Sequence, residues 1–81
     1  MQLTIITPTK KEVFDIAWAE CNTPQGNFVI QPGHAPTIFA LSAHMPFIYC
    51  LKNGKEEVIM IKQALAEITR THITLLLNNL D

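Results

Sequence analysis

Eighty-one residues give room for one domain, and a chain that is 48% apolar and only 16% charged is excluded from the disordered class. The formal net charge is −1, with six Lys and Arg scattered along the chain. That excludes the clustered positive face on which nucleic-acid binding depends.

The chain reads as strand after strand. Residues 3–7 (LTIIT) form a first strand, closed by Pro8, which has no N–H to give to a ladder. Met1 opens directly on this run, so no secretory segment is expected before it. Residues 13–21 follow, with Phe14, Ile16 and Trp18 alternating against Asp15, Ala17 and Ala19, and this period of two predicts one apolar face with Trp18 in the core. Residues 23–27 (TPQGN) carry turn chemistry. Phe28-Val29-Ile30 is a short strand stopped by a tight turn at Pro32-Gly33.

Asn53-Gly54 lies between two β-branched and aromatic runs, residues 47–52 and 55–62. A two-residue type I′ turn there predicts a hairpin in which Ile48 faces Ile59, Tyr49 faces Val58 and Phe47 faces Met60. In that register Phe47, Tyr49, Val58 and Met60 share one face, and Ile48, Cys50, Ile59 and Ile61 share the other. Both faces are then apolar, which means either full coverage within the fold or a docking surface. A further hairpin runs from residues 64–70 into 73–77, turning near Thr71-His72. Only residues 63–70 offer a competing helical reading, without a good cap. Short strands at regular spacing indicate an all-β fold, a sandwich or a barrel.

Chemistry-bearing residues are few. Cys21 and Cys50 lack CxxC spacing and read as small buried hydrophobes in a reducing compartment. His34, His44 and His72 have no paired spacing, so no metal site is expected. No Ser, Cys or Asp stands in a recognisable relation to a histidine, and no catalytic residue is expected. A Gly-rich phosphate loop is also missing, so neither ATP binding nor another cofactor is expected. The longest apolar runs, 37–41 and 73–77, are too short to span a bilayer, and direct membrane insertion is not expected.

The most distinctive run is residues 26–36 (GNFVIQPGHAP). It resembles the signature of the ATP synthase epsilon subunit, Gly-x-Phe/Leu-Gly-Ile-x-Pro-Gly-His-Ala-Pro, and Pro32-Gly33-His34-Ala35-Pro36 match it in full. Thr7-Pro8 and Phe14 before this run match too, as do Ile38, Ala40 and Leu41 after it and the Asn53-Gly54 turn. The closing strand at Ile68 and His72-Ile73-Thr74-Leu75 extends the likeness. Three departures stand out: Val29, the stretch Ser42-Ala43-His44-Met45, and Gln63-Ala64-Leu65 each replace a segment where the family carries glycine.

The resemblance implies a small flattened β-sandwich of about eight to ten short, mostly antiparallel strands. It implies a non-catalytic central-stalk subunit of a bacterial F-type ATP synthase, coupling proton or sodium flow to ATP synthesis from the cytoplasmic side of the inner membrane. The implied partners are the gamma subunit, at Thr7, His34, Ala35, Pro36 and Phe39, and the membrane c-ring, at Gln25, Gly26 and Asn27. The likeness covers only the sandwich, as one domain over residues 1–81; the helical hairpin of the longer relatives, with its inhibitory and ATP-binding roles, is expected to be absent. The alternative is a stand-alone β-sandwich interaction module that has drifted from that ancestry.

Overall fold

The computed structural model describes residues 1–79; Leu80 and Asp81, the end of the expected domain, lie outside the described residues. Eight strands follow one another: β1 (Gln2–Ile6), β2 (Lys11–Thr23), β3 (Gly26–Ile30), β4 (Thr37–Ala40), β5 (Pro46–Leu51), β6 (Glu56–Met60), β7 (Ala64–Ile68) and β8 (His72–Leu77). The hydrogen-bonded order is β4-β7-β8-β1-β2-β5-β6, with β3 added beside β2. The β1–β8 pair is parallel and the other pairs are antiparallel. Residues 63–70, where a helix competes in the sequence, supply strand β7 instead.

Strand β2 makes the two layers one molecule. Its first part, Lys11 to Asp15, pairs with β1, while its later part pairs with β5 and β3. The register to β5 shifts between Ile16 and Trp18. Such a bulge bends the strand and advances the side-chain alternation by one. The inward residues are therefore Ile16, then Ala19 and Cys21, all at most 1% exposed. Trp18 is half-buried and stays outside the core cluster, contrary to the simple alternation. A bulge inserts a residue without changing composition, so a period-two reading carries straight through it.

The second correction concerns the β5–β6 hairpin. The observed register sets Phe47 opposite Ile59, Ile48 opposite Val58 and Tyr49 opposite Glu57, one residue from the expected pairing. The loop holds three residues, not two: Leu51 N–H donates to Lys55 O at 2.8 Å and Gly54 N–H to Leu51 O at 2.9 Å. Gly54 takes φ +92°, the left-handed position of a type I turn followed by a bulge. Asn53 Oδ1 accepts from Lys55 N–H at 2.9 Å and ties the loop. A slip of one reverses every side chain of the partner strand. Ile59 and Ile61 thus join Phe47 and Tyr49 inside, and Val58 and Met60 turn outward, each more than half exposed.

The layers enclose one core. Leu3, Ile5, Ala66, Ile68, Ile73 and Leu75 face Ile16, Ala19, Cys21, Ile30, Phe47, Tyr49 and Ile61. Phe47 is the largest fully buried side chain, and its truncation to Ala would cost about 3–5 kcal/mol. The flattened dimensions, 32 × 28 × 20 Å, suit two sheets about 10 Å apart with their side chains. Cys21 and Cys50 are buried free thiols, as expected of small hydrophobes.

Candidate interaction site

The matched run folds as a rigid corner between the layers. Strand β3 ends at Ile30, which is buried and pairs with Ala19 of β2. Pro32 then fixes φ for the first corner of a turn, and Gly33 takes the second at φ +88°. His34 N–H closes it onto Gln31 O at 3.1 Å. The turn is anchored from outside as well. Gly33 N–H donates to Arg70 O at 2.7 Å, and Arg70 Nη1 donates back to Gly33 O at 3.3 Å.

His34 is half-buried, and its Nδ1 lies 2.8 Å from Ala35 O. A carbonyl only accepts, so Nδ1 is the donor in this hydrogen bond. Ala35 and Pro36 are exposed, and the chain enters β4 directly after them. Phe39, also assigned to the gamma contact, is half-buried and stacks on Phe28 at 4.7 Å between ring centres. It bridges the two layers, so a charge there would damage packing before it touched any partner.

Thr7 lies apart from this turn. Gln2, at one end of β1, donates its N–H to Thr71 O beside Arg70, whereas Thr7 follows the other end, about 16 Å of strand away. Its hydroxyl is occupied by the loop it closes, accepting from Lys10 N–H at 3.1 Å. The structure therefore brings Pro32 and Gly33, just before His34, together with Arg70, Thr71 and His72, and leaves Thr7 at the opposite edge. Residues 70–72 carry no local signal of this. They reach the turn because β8 runs parallel to β1 with Gln2 opposite His72, a register that no short-range pattern encodes.

Gln25, Gly26 and Asn27 occupy the tip of the β2–β3 hairpin, all exposed. Thr23 Oγ1 accepts from Gln25 N–H at 3.1 Å and donates to Gly26 O at 3.0 Å, holding the turn shut. Asn27 Nδ2 donates to Glu20 Oε2 and to Asn22 Oδ1, each at 3.0 Å. The amide of Asn27 is thus engaged within the chain, and the carboxylate nearest the tip belongs to Glu20.

Beyond these loops, the outer surface of β3, β2, β5 and β6 carries apolar side chains interrupted by Glu20. Val29, Glu20, Ile48 and Val58 lie side by side across four strands, with Met60 in the adjoining row. Among the described residues no group of three His, Cys, Asp or Glu could hold a metal ion. No helix of the described residues is long and apolar enough to cross a membrane.

A family model, that of the ATP synthase delta/epsilon chain β-sandwich domain, matches residues 1–80. No curated protein matches the chain by sequence. Among solved structures, the fold is similar to a chain of the Euglena gracilis mitochondrial ATP synthase (OSCP/F1/c-ring), with a TM-score of 0.80 at 18% identity over 93% of this chain. It is also similar to a chain of the Tetrahymena thermophila mitochondrial ATP synthase (central stalk/c-ring), with a TM-score of 0.71 at 17% identity over 94% of this chain. The matches span 48% and 63% of those chains, so this sequence corresponds to one portion of each.

Proposed function

The chain belongs to the family of the ATP synthase delta/epsilon-chain β-sandwich domain, and from that premise we propose that it is a central-stalk subunit that fastens the gamma subunit to the c-ring. It contributes no chemistry of its own in this reading. Two layers closed over one core, with corners pinned by hydrogen bonds, form a stiff spacer through which torque passes as a static load. The observation that carries the reading is the Pro32–Pro36 corner: exposed at Ala35 and Pro36, fixed at both ends, and tied to Arg70 from a different strand pair. A pre-ordered loop loses little conformational freedom on docking.

Gamma is assigned to the His34, Ala35 and Pro36 corner, and the c-ring to the Gln25–Asn27 tip. Thr7 is kept as a separate, second gamma contact. The inhibitory and ATP-binding roles of a helical hairpin are not assigned to the sandwich. The subunit would sit peripherally, on the cytoplasmic face of the inner membrane in a bacterium; its solved structural neighbours are mitochondrial.

Co-purification with the gamma subunit tests the reading. The parent should bind, and His34→Asp should weaken binding by about 2 kcal/mol or more, because a charge is desolvated at a docked corner. A parent that leaves gamma unbound would instead favour a stand-alone interaction module.

A further inference from the structure

An open cavity of about 370 Å³ adjoins the Pro32–Gly33 turn, lined by Met1, Gln2, Pro32, Arg70, Thr71 and His72. Among the described residues no acidic side chain lines it. Arg70 is exposed and uses one Nη1 donor on Gly33 O at 3.3 Å. Its other guanidinium donors, and the hydroxyl of exposed Thr71, have no protein acceptor among the described residues. His72 is engaged through Nε2, which lies 2.9 Å from Thr4 Oγ1. Asp15 stands opposite Gln2, and its Oδ1 lies 3.7 Å from the Met1 amine. That pair balances itself and leaves Arg70 as the uncompensated charge of the pocket.

We propose that this cavity receives a carboxylate side chain of the gamma subunit, gripped by Arg70 and Thr71. The inference rests on the gamma-binding reading above and names the chemistry of that contact. A planar guanidinium with free donors suits the two oxygens of a carboxylate, and a hydroxyl beside it adds a neutral donor. One cation in an open, shallow site is too little to hold a free anion firmly in water. The same cation at the rim of a docked surface gains from the contacts around it and sets orientation and on-rate.

The test is a binding titration of this protein against its purified gamma subunit at low and high sodium chloride. Parent affinity should fall with salt. Arg70→Gln should weaken binding about tenfold at low salt and flatten the salt dependence. Because Arg70 also holds Gly33, a second variant keeps that bridge intact: Thr71→Glu places a carboxylate at the pocket mouth. Its binding should be weaker than the parent's at low salt and should improve as salt rises, a reversal that simple loss of fold cannot produce. Parent binding with both variants unchanged in affinity and in salt dependence would overturn the carboxylate pocket while leaving the gamma contact standing. A parent that binds no gamma at either salt overturns both.

Discussion

Gly33 and Arg70 hold each other twice, N–H to carbonyl at 2.7 Å in one direction and Nη1 to carbonyl at 3.3 Å in the other. The bridge joins the turn after β3 to the loop between β7 and β8, and so links the two layers at the corner where docking is proposed. Gly33 carries the conformational burden at φ +88°. A Cβ built there meets nothing within 4 Å, so the cost of a side chain comes from the backbone alone. Gly33→Ala should therefore destabilise the domain by about 1–2 kcal/mol, seen as a lower urea midpoint at unchanged slope. Gly33→Asn should cost less, since Asn tolerates the left-handed region better. Equal losses for the two would show that something other than φ is limiting.

His44 adopts φ +64° without being glycine, the one non-glycine residue among those described to do so. It lies in the stretch 42–45, one of the three places where the chain departs from the resembled family's glycines, and there a left-handed backbone is held without glycine. The loop is fixed there by His44 N–H to Ile61 O at 2.7 Å and Ile61 N–H to Met45 O at 3.0 Å. His44→Gly should relieve about 1–2 kcal/mol of strain and give back part of it as unfolded-state entropy, for a net gain of about 0.5–1 kcal/mol. An unchanged or lower urea midpoint would show that the imidazole offsets its own strain.

Local chemistry in this chain was legible in the sequence, and long-range phase was not. Pro8, Pro24, Pro32-Gly33 and Asn53-Gly54 all fall between strands in the structure, and the eight-stranded all-β architecture agrees with them. Two one-residue errors escaped the pattern. An Asn-Gly pair is compatible with a two-residue or a three-residue loop, and only the packing of Ile59 and Ile61 against Phe47 decides between them. The β2 bulge likewise leaves no compositional mark, because Ala17, Trp18 and Ala19 suit either face. At the proposed site, the Pro-Gly-His-Ala-Pro corner could be named from its residues alone. Its neighbours Arg70 and Thr71 could not, since they arrive through the parallel pairing of β8 with β1.

The bulge makes a direct prediction at two adjacent residues. Ala19 is fully buried in the core, while Trp18 is half-buried on the outer side, beside Cys50. Ala19→Leu should overpack the core and cost about 1–3 kcal/mol. Trp18→Thr should cost less, about 1 kcal/mol, because it gives up only part of an apolar contact and keeps a good strand former. The reverse order in thermal or urea unfolding would restore the unbroken alternation and remove the bulge.

The last prediction concerns alkaline pH. Burial, with a smaller contribution from neighbouring Glu20, pushes the Cys21 thiol up from 9.0 to about 11. Burial also raises Tyr49, with Glu57 and then Glu12 adding to the effect. Both groups are neutral when protonated, so the folded state holds its protons more tightly than the unfolded chain does. The stability that results is fully present below the unfolded pKa values and is lost as pH rises through the folded ones. Unfolding free energy should thus be flat through neutrality and fall above about pH 9, with Cys21 contributing up to one proton to the slope between pH 9 and about 11. Cys21→Ala should lower stability at neutral pH, through lost core volume, yet make the alkaline decline shallower. Tyr49→Phe removes the titrating hydroxyl and keeps the ring, and should make the decline shallower at the upper end of the range. The check is urea unfolding across that range for the parent and both variants, together with thiol titration of the native protein. Rapid modification of Cys21 in the native protein at pH 9, or an alkaline slope that both variants leave intact, would show that the decline arises elsewhere in the fold.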